Sequence, residues 1–284
     1  EMLAALRCQM GEETDFPGLL KLLRHFKRAE IIRIAMRDLC GLATLEEVTD
    51  ELSSLASASL QVAYEVCRRS LIAEYGVPLL ETEQGLREAE MTVIGMGKLG
   101  GCELNFSSDI DIIYFYESDQ GMLSGGERAS SHVGEHVSLH TFFVKLGEMI
   151  SKALSLVTED GFVFRVDMGL RPDGRSGDMA TSLRSAEIYY ESWGQSWERT
   201  AMLKARPVAG SLELGEQLLL MLRPFIYRKY LDYNMVEDMK NMKQKIDASL
   251  TRSREGEINL KLGRGGIREI EFFIQTLQLV YGGK

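Results

Sequence analysis

Residues 95–117 read GMGKLGGCELNFSSDIDIIYFYE, and the fold turns on this stretch. A glycine-rich segment, 95–101, leads through a polar stretch into Asp111–Tyr116, whose β-branched and aromatic side chains specify a strand. Gly95, Gly97 and Gly100 match the G-x-G-x-x-G dinucleotide fingerprint, with Glu117 near the position of its acidic partner. That fingerprint needs a helix of about three turns behind the glycines. Here the second strand begins too soon, and 102–108 has no apolar stripe to lay on a sheet. A nicotinamide-binding doubly wound sheet is therefore set aside.

Asp109 and Asp111 are two residues apart, which on a strand places both carboxylates on one side, about 6–7 Å apart. Ile110, Ile112 and Tyr114 then face the other way. Paired carboxylates repel unless a cation lies between them. Hard oxygen donors left open toward phosphate suit Mg2+ or Mn2+. Upstream, Gly100 and Gly101 would let backbone N–H groups approach a polyphosphate, and Lys98 would add charge. Ser108, with Ser107, can bond phosphate oxygens or its own turn. A third element, Phe162–Arg171, alternates so that Arg165, Asp167 and Arg171 share a face. If it neighbours the first strand, Asp167 becomes a third carboxylate flanked by two phosphate-binding arginines. Three carboxylates beside a glycine-rich turn form the layout of two-metal nucleotidyl transfer. The alternative is that some of these acids cap turns or pair with arginine.

Outward from this centre, residues 1–88 read as helical, without a strand signal. Pro17-Gly18 opens one helix, Gly41 interrupts it, and Thr44 with Glu47 forms a capping box for the next, which stops at Gly76-Val77-Pro78. Residues 89–182 carry the three strands at 91–96, 111–116 and 161–170. They also carry a Gly/Ser-rich loop at 118–135 and a helix with Phe142, Phe143, Leu146, Ile150 and Leu154 on one stripe. Residues 183–284 return to helices. The expectation is an α+β protein, a mixed-sheet domain at 89–182 flanked by helical regions.

The chain has 284 residues, 33 basic against 42 acidic, for a net charge of −9. That balance argues against nucleic acid or an anionic membrane as partner. No apolar run reaches the roughly 18 residues of a membrane span. The absence of a basic leader and of C-x-x-C pairs predicts a cytoplasmic protein with free thiols, three of them buried in helices. A missing initiator Met predicts a piece of a longer chain.

The 95–117 stretch resembles the G-G…D-h-D signature of DNA-polymerase-β-type nucleotidyltransferases. With FRVDMGLRPDGRSG (164–177), YYESWGQSWERTAMLKARPVAG (189–210), FIYRKYLDY (225–233) and NLKLGRGGIREIEFFIQ (259–275), it more narrowly resembles the bifunctional glutamine synthetase adenylyltransferase/adenylyl-removing family. The likeness spans 91–284, and residues 1–90 share only helical character. It implies Mg2+ or Mn2+ held by Asp109, Asp111 and Asp167, with ATP or ADP and inorganic phosphate as substrates or products. It also implies glutamine synthetase as partner and, through the full-length enzyme, a PII-type signalling protein. Lys98-Leu99-Gly100-Gly101, Asn105-Phe106-Ser107-Ser108 and the 265–271 block are closer to the half that removes AMP by phosphorolysis. One departure is Gly169, where that half's version of the strand carries Arg.

Four further groups invite a reading. His132, His136 and His140 recur every four residues, but Gly134 argues against a metal-binding helix and for solvated loop histidines. Tyr189, Tyr190, Trp193 and Trp197 are expected in a core rather than on an adenine ring. Lys261–Gly266 precedes a helix whose free N–H groups could hold an anion. Arg24, Lys27, Arg28 and Arg33 read as a solvated face.

Overall fold

A computed structural model describes residues 1–11, 14–126, 137–227 and 265–282. The architecture is α+β, and the chain divides into two compact units, Glu1–Ala186 with Lys204–Leu219, and Glu187–Leu203 with Leu220–Lys284.

The first unit opens with helices α1 (Met2–Gln9), α2 (Phe16–Leu39) and α3 (Leu45–Tyr75). Asp15 caps α2 by accepting from the Gly18 N–H, with Pro17 in the first turn. The Thr44/Glu47 capping box starts α3 as the spacing predicts. This helix buries Leu52, Leu55, Leu60, Val62 and Val66 and packs on α1, α2, α5 (Leu139–Ser155) and the sheet. It ends at Gly76, whose φ of 100° and close approach to the Gly125 carbonyl leave no room for a side chain.

Two sheets follow. Strands β1 (Val77–Thr82) and β2 (Gly85–Glu88) form a hairpin, and β5 (Met122–Ser124) adds to β1. The expectation of no strand before residue 90 is corrected here. All four β2 residues are exposed, so no alternation marks them, and Pro78 masks β1.

The second sheet carries the site. Strand β3 (Met91–Gly95) pairs antiparallel with β4 (Ile110–Tyr116), and β8 (Arg206–Gly210) pairs antiparallel with β3. Strands β6 (Val166–Asp167) and β7 (Ala180–Ser182) both run parallel to β4, one after the other along the same side. Every residue of β3 is buried, and so is every residue of β4 except Asp111. Helix α5 covers this sheet with Phe142, Phe143, Leu146 and Ile150. Gly147 of α5 makes room for Tyr114, since a Cβ there would stand 2.9 Å from its ring. Burial raises the Tyr114 pKa, and its hydroxyl bonds Ser151 Oγ at 3.0 Å. Strand β8 was not expected, because the reading from residue 183 onward was purely helical. The strand read over 161–170 contracts to two paired residues, closed off by Gly161 (φ 83°) and a turn after Gly169.

The basic cluster on α2 divides: Arg28 and Arg33 are exposed, as a solvated face requires, and Lys27 is half-buried, but Arg24 is a second correction. Arg24 is 1% exposed. Its guanidinium donates to Leu20 O (2.7 Å), Gly161 O (2.8 Å), Ala153 O (3.2 Å) and Leu156 O, tying α2 to the end of α5 and to the loop that leads into β6. Arg28 adds a bond to Asp160 O at 3.1 Å. Of the thiols expected in cores, Cys67 is buried and burial pushes its pKa up to about 12, whereas Cys8 and Cys40 are exposed.

In the second unit, α7 (Ser196–Met202) buries Glu198, which accepts from the Gln195 N–H (2.7 Å) and the Tyr189 hydroxyl (3.0 Å). Tyr190, on α6 (Leu183–Ser192), packs on Phe225 of α8 (Leu212–Ile226). Trp193 and Trp197 are 69% and 37% exposed, so the aromatic cluster divides between core and surface. Helix α9 (Ile267–Tyr281) carries its apolar stripe on an exposed face.

Arg24→Met is expected to lower unfolding free energy by about 2–4 kcal/mol, because it strands several buried carbonyls at once. Urea denaturation with an unchanged midpoint would contradict this role.

Candidate active site

The site grows from the β3–α4–β4 connection, where α4 (Gly97–Gly100) is a single turn. That brevity is what separates the fold from a dinucleotide-binding sheet. The Met96 N–H donates to the Asp111 carbonyl (2.8 Å), drawing the glycine turn over the start of β4. Gly97 has φ 52°, and a Cβ on it would stand 2.7 Å from Asp111 Oδ2. Gly100 meets the Lys204 carbonyl so closely that its Cβ would fall 1.9 Å away. Gly97 leaves space for the Asp111 carboxylate, and Gly100 lets the turn seat on the segment leading into β8.

Two residues of the 189–210 block, Lys204 and Arg206, fix this turn. Arg206 on β8 donates to Leu99 O (3.1 Å) and Gly100 O (3.2 Å), the carbonyl end of α4. Lys204 Nζ lies 2.6 Å from Glu103 Oε2. A sequence signal for both existed in the arginine and lysine set among small and apolar residues at 204–210.

Asp111 on β4 and Asp167 on β6 are register partners in the parallel pair, so their side chains stand side by side on one face. The Ile110 N–H donates to Arg165 O at 2.9 Å, continuing the ladder one step back. Asp109 lies just before β4, exposed, with its carboxylate bonded by Arg165. Arg165 also donates to Ser107 O at 2.6 Å. Ser107 holds a left-handed backbone, φ 58°, uncommon for a residue with a Cβ. The Asp167 carboxylate accepts from the Gly169 N–H at 2.7 Å, and a Cβ on Gly169 would press to 3.0 Å from the same oxygen.

The other expected residues separate into those at the site and those spent on the scaffold. Lys98 is exposed on α4, and Ser108 is half-buried at the turn before β4. The Gly100 and Gly101 N–H groups are used within the turn, on Met96 O (3.0 Å) and Gly97 O (3.1 Å). Arg171 does not join the carboxylates. Its guanidinium donates to Met168 O, Gly177 O and Arg175 O at 3.0–3.1 Å, bracing the 168–177 loop. Among the described residues, no three His, Cys, Asp or Glu side chains already stand together as a ligand cluster. Asp111 and Asp167 supply two adjacent hard oxygen donors. Asp109 is engaged by Arg165 instead. His140 lies in the first turn of α5 with Nδ1 2.8 Å from the Tyr116 hydroxyl, while His132, His136 and residues 261–264 fall outside the described residues.

Gly97→Ala is expected to cost about 1 kcal/mol through its left-handed backbone and to displace the Asp111 carboxylate. A crystal structure of the variant with Asp111 in place, and an unchanged melting temperature, would contradict the steric role assigned to Gly97.

The family model for glutamate-ammonia ligase adenylyltransferase matches residues 1–221, and that for GlnD PII-uridylyltransferase matches 240–284. Three relatives are named bifunctional glutamine synthetase adenylyltransferase/adenylyl-removing enzyme. The one from Pseudomonas aeruginosa is 44% identical across 100% of this chain and 28% of its own length. That from Hahella chejuensis is 43% identical across 94% of this chain and 26% of its own. That from Shewanella oneidensis is 40% identical across 99% and 28%. The chain thus spans a little over a quarter of the length of these relatives. No described helix is long and apolar enough to cross a membrane. With most of its length matched by the first model, the chain belongs to the glutamate-ammonia ligase adenylyltransferase family.

Proposed function

We propose that this chain carries a metal-dependent nucleotidyl-transfer centre that acts on glutamine synthetase in the cytoplasm and removes AMP from an adenylylated tyrosine, with inorganic phosphate as acceptor and ADP as product. The observation that carries the reading is the parallel register of Asp111 with Asp167. Two carboxylates on neighbouring strands at one register position offer hard oxygen donors, and such donors select Mg2+ or Mn2+. Asp111 and Asp167 would hold the ion, with Asp109 joining them. When bound, it would neutralise charge on the phosphoryl oxygens.

The rest falls to the chain's own residues. Phenol, with a pKa near 10, leaves more readily than an aliphatic alcohol, so a strong general acid is not required. What is required is in-line positioning and charge screening. Arg165 and Lys98 are the cations placed to screen phosphoryl oxygens, and Ser108 offers a hydroxyl donor. Arg165 holds Asp109 until an anion competes for it. Arg171 acts at one remove, keeping the 168–177 loop in shape behind Asp167. The removing direction rests on the blocks at 98–101, 105–108 and 265–271. In the longer protein, a PII-type signalling protein would set when the centre works.

Incubation with adenylylated glutamine synthetase, Mg2+ and inorganic phosphate should release ADP, followed by chromatography. Asp111→Asn should slow release by about a hundredfold or more while the fold persists. Free AMP released without phosphate, or full activity in Asp111→Asn, would overturn the mechanism. ATP-dependent labelling of unmodified glutamine synthetase would assign the opposite direction.

A further inference from the structure

Next to the Asp109–Arg165 pair lies a cavity of about 100 Å³. Leu52, Leu104 and Val163 line its apolar part, and Lys27, Ser108 and Arg165 its polar part. The Lys27 ammonium lies 5.5 Å from the centroid of the Phe162 ring, and the Arg165 guanidinium 6.0 Å from the same centroid. Two cations on one ring repel each other. Arg165 has Asp109 to offset it. Lys27, among the described residues, pairs with no carboxylate. Partial burial, and then its neighbour Arg28, hold the Lys27 pKa below the usual lysine value. Burying an ammonium without a counter-ion is unfavourable, so this corner of the site is short of negative charge.

The apolar lining bears on what that negative charge is attached to. A bare inorganic anion gains nothing from a wall built of Leu52, Leu104 and Val163. A dry cavity of about 150 Å³ accepts benzene, so a smaller one open at one end suits a single six-membered ring. An adenine nucleotide sets a ribose between its base and its phosphorus, and a pocket this small has no place for one beside its cationic rim.

We propose that this cavity receives an aryl phosphate: an aromatic ring on the apolar lining, with phosphoryl oxygens held between Lys27 and Arg165 and near the Ser108 hydroxyl. The inference rests on the nucleotidyl-transfer reading above, where the phenolic side of the phosphorus is the group of that chemistry. It gives α2, whose Arg24 already braces the loop before β6, a residue in the binding site itself.

Phenyl phosphate is the probe, titrated into the full chain by ligand-detected NMR, with inorganic phosphate and AMP as comparators. Phenyl phosphate should bind about tenfold tighter than inorganic phosphate, with saturation transferred to its ring protons. Lys27→Gln should weaken phenyl phosphate about fivefold to tenfold with its melting temperature kept, and Lys27→Arg should restore most of the loss. Phenyl phosphate binding no tighter than inorganic phosphate, Lys27→Gln binding like the wild type, or AMP showing the same dependence on Lys27 would each overturn the proposal. A chain that binds phenyl phosphate through Lys27 but releases no ADP would sink the removing activity and leave the pocket standing. Phosphate-dependent ADP release without such binding would sink the pocket alone.

Discussion

Two aspartates share one rung of a parallel strand pair. Neighbouring strands lie about 5 Å apart. At that spacing two carboxylates repel by about 1 kcal/mol in water and about 3 kcal/mol in the lower dielectric of a protein surface. Asp111 and Asp167 are such partners, and much of the first unit serves to hold their strands in that register. The Asp111 side is fixed by a fully buried β3 and by the N–H of Met96. The Asp167 side has only a two-residue strand, so it is held from outside, by the Gly169 N–H and by Arg171 bracing the loop beyond. Behind both, Arg24 ties α2 to the segment that delivers β6.

The balance of charge is also organised by layer. Arg165 covers Asp109, an exposed acid. A pair this exposed contributes little to stability, about 0–1 kcal/mol, and exchanges easily for a cation or an anion. Arg24, by contrast, is buried and satisfied by carbonyls, and its task is fixed. Arginines that look alike in composition thus divide between an exchangeable contact and a rigid brace, with burial deciding which.

Much of this was legible in the sequence. The capping box at Thr44 follows from a side-chain hydrogen bond local to the chain, and the strands at 91–96 and 111–116 from short runs of apolar residues. Strands β1, β2, β5, β7 and β8 escaped notice, and for β8 and β2 the physical reason is plain. In β8, Pro207 sits where the register with β3 slips at a bulge on the sheet's edge, a position that tolerates proline but hides the strand pattern. In β2 every side chain faces solvent, so periodicity has nothing to report. The burial of Arg24 and the place of Lys27 depend on contacts more than 100 residues away in the chain, beyond any local pattern. Arg171 shares its strand's alternation on paper, but the turn after Gly169 ends the strand before that face is reached.

If Asp111 and Asp167 act as one cation-binding pair, a double-mutant cycle on Mn2+ binding reveals their coupling. Mn2+ titrations followed by electron paramagnetic resonance on the wild type, Asp111→Asn, Asp167→Asn and the double variant would measure the coupling. Either single change should remove most of the affinity and the second should add little, a coupling of about 1–3 kcal/mol. Additive losses, or wild-type Mn2+ affinity in both single variants, would contradict it.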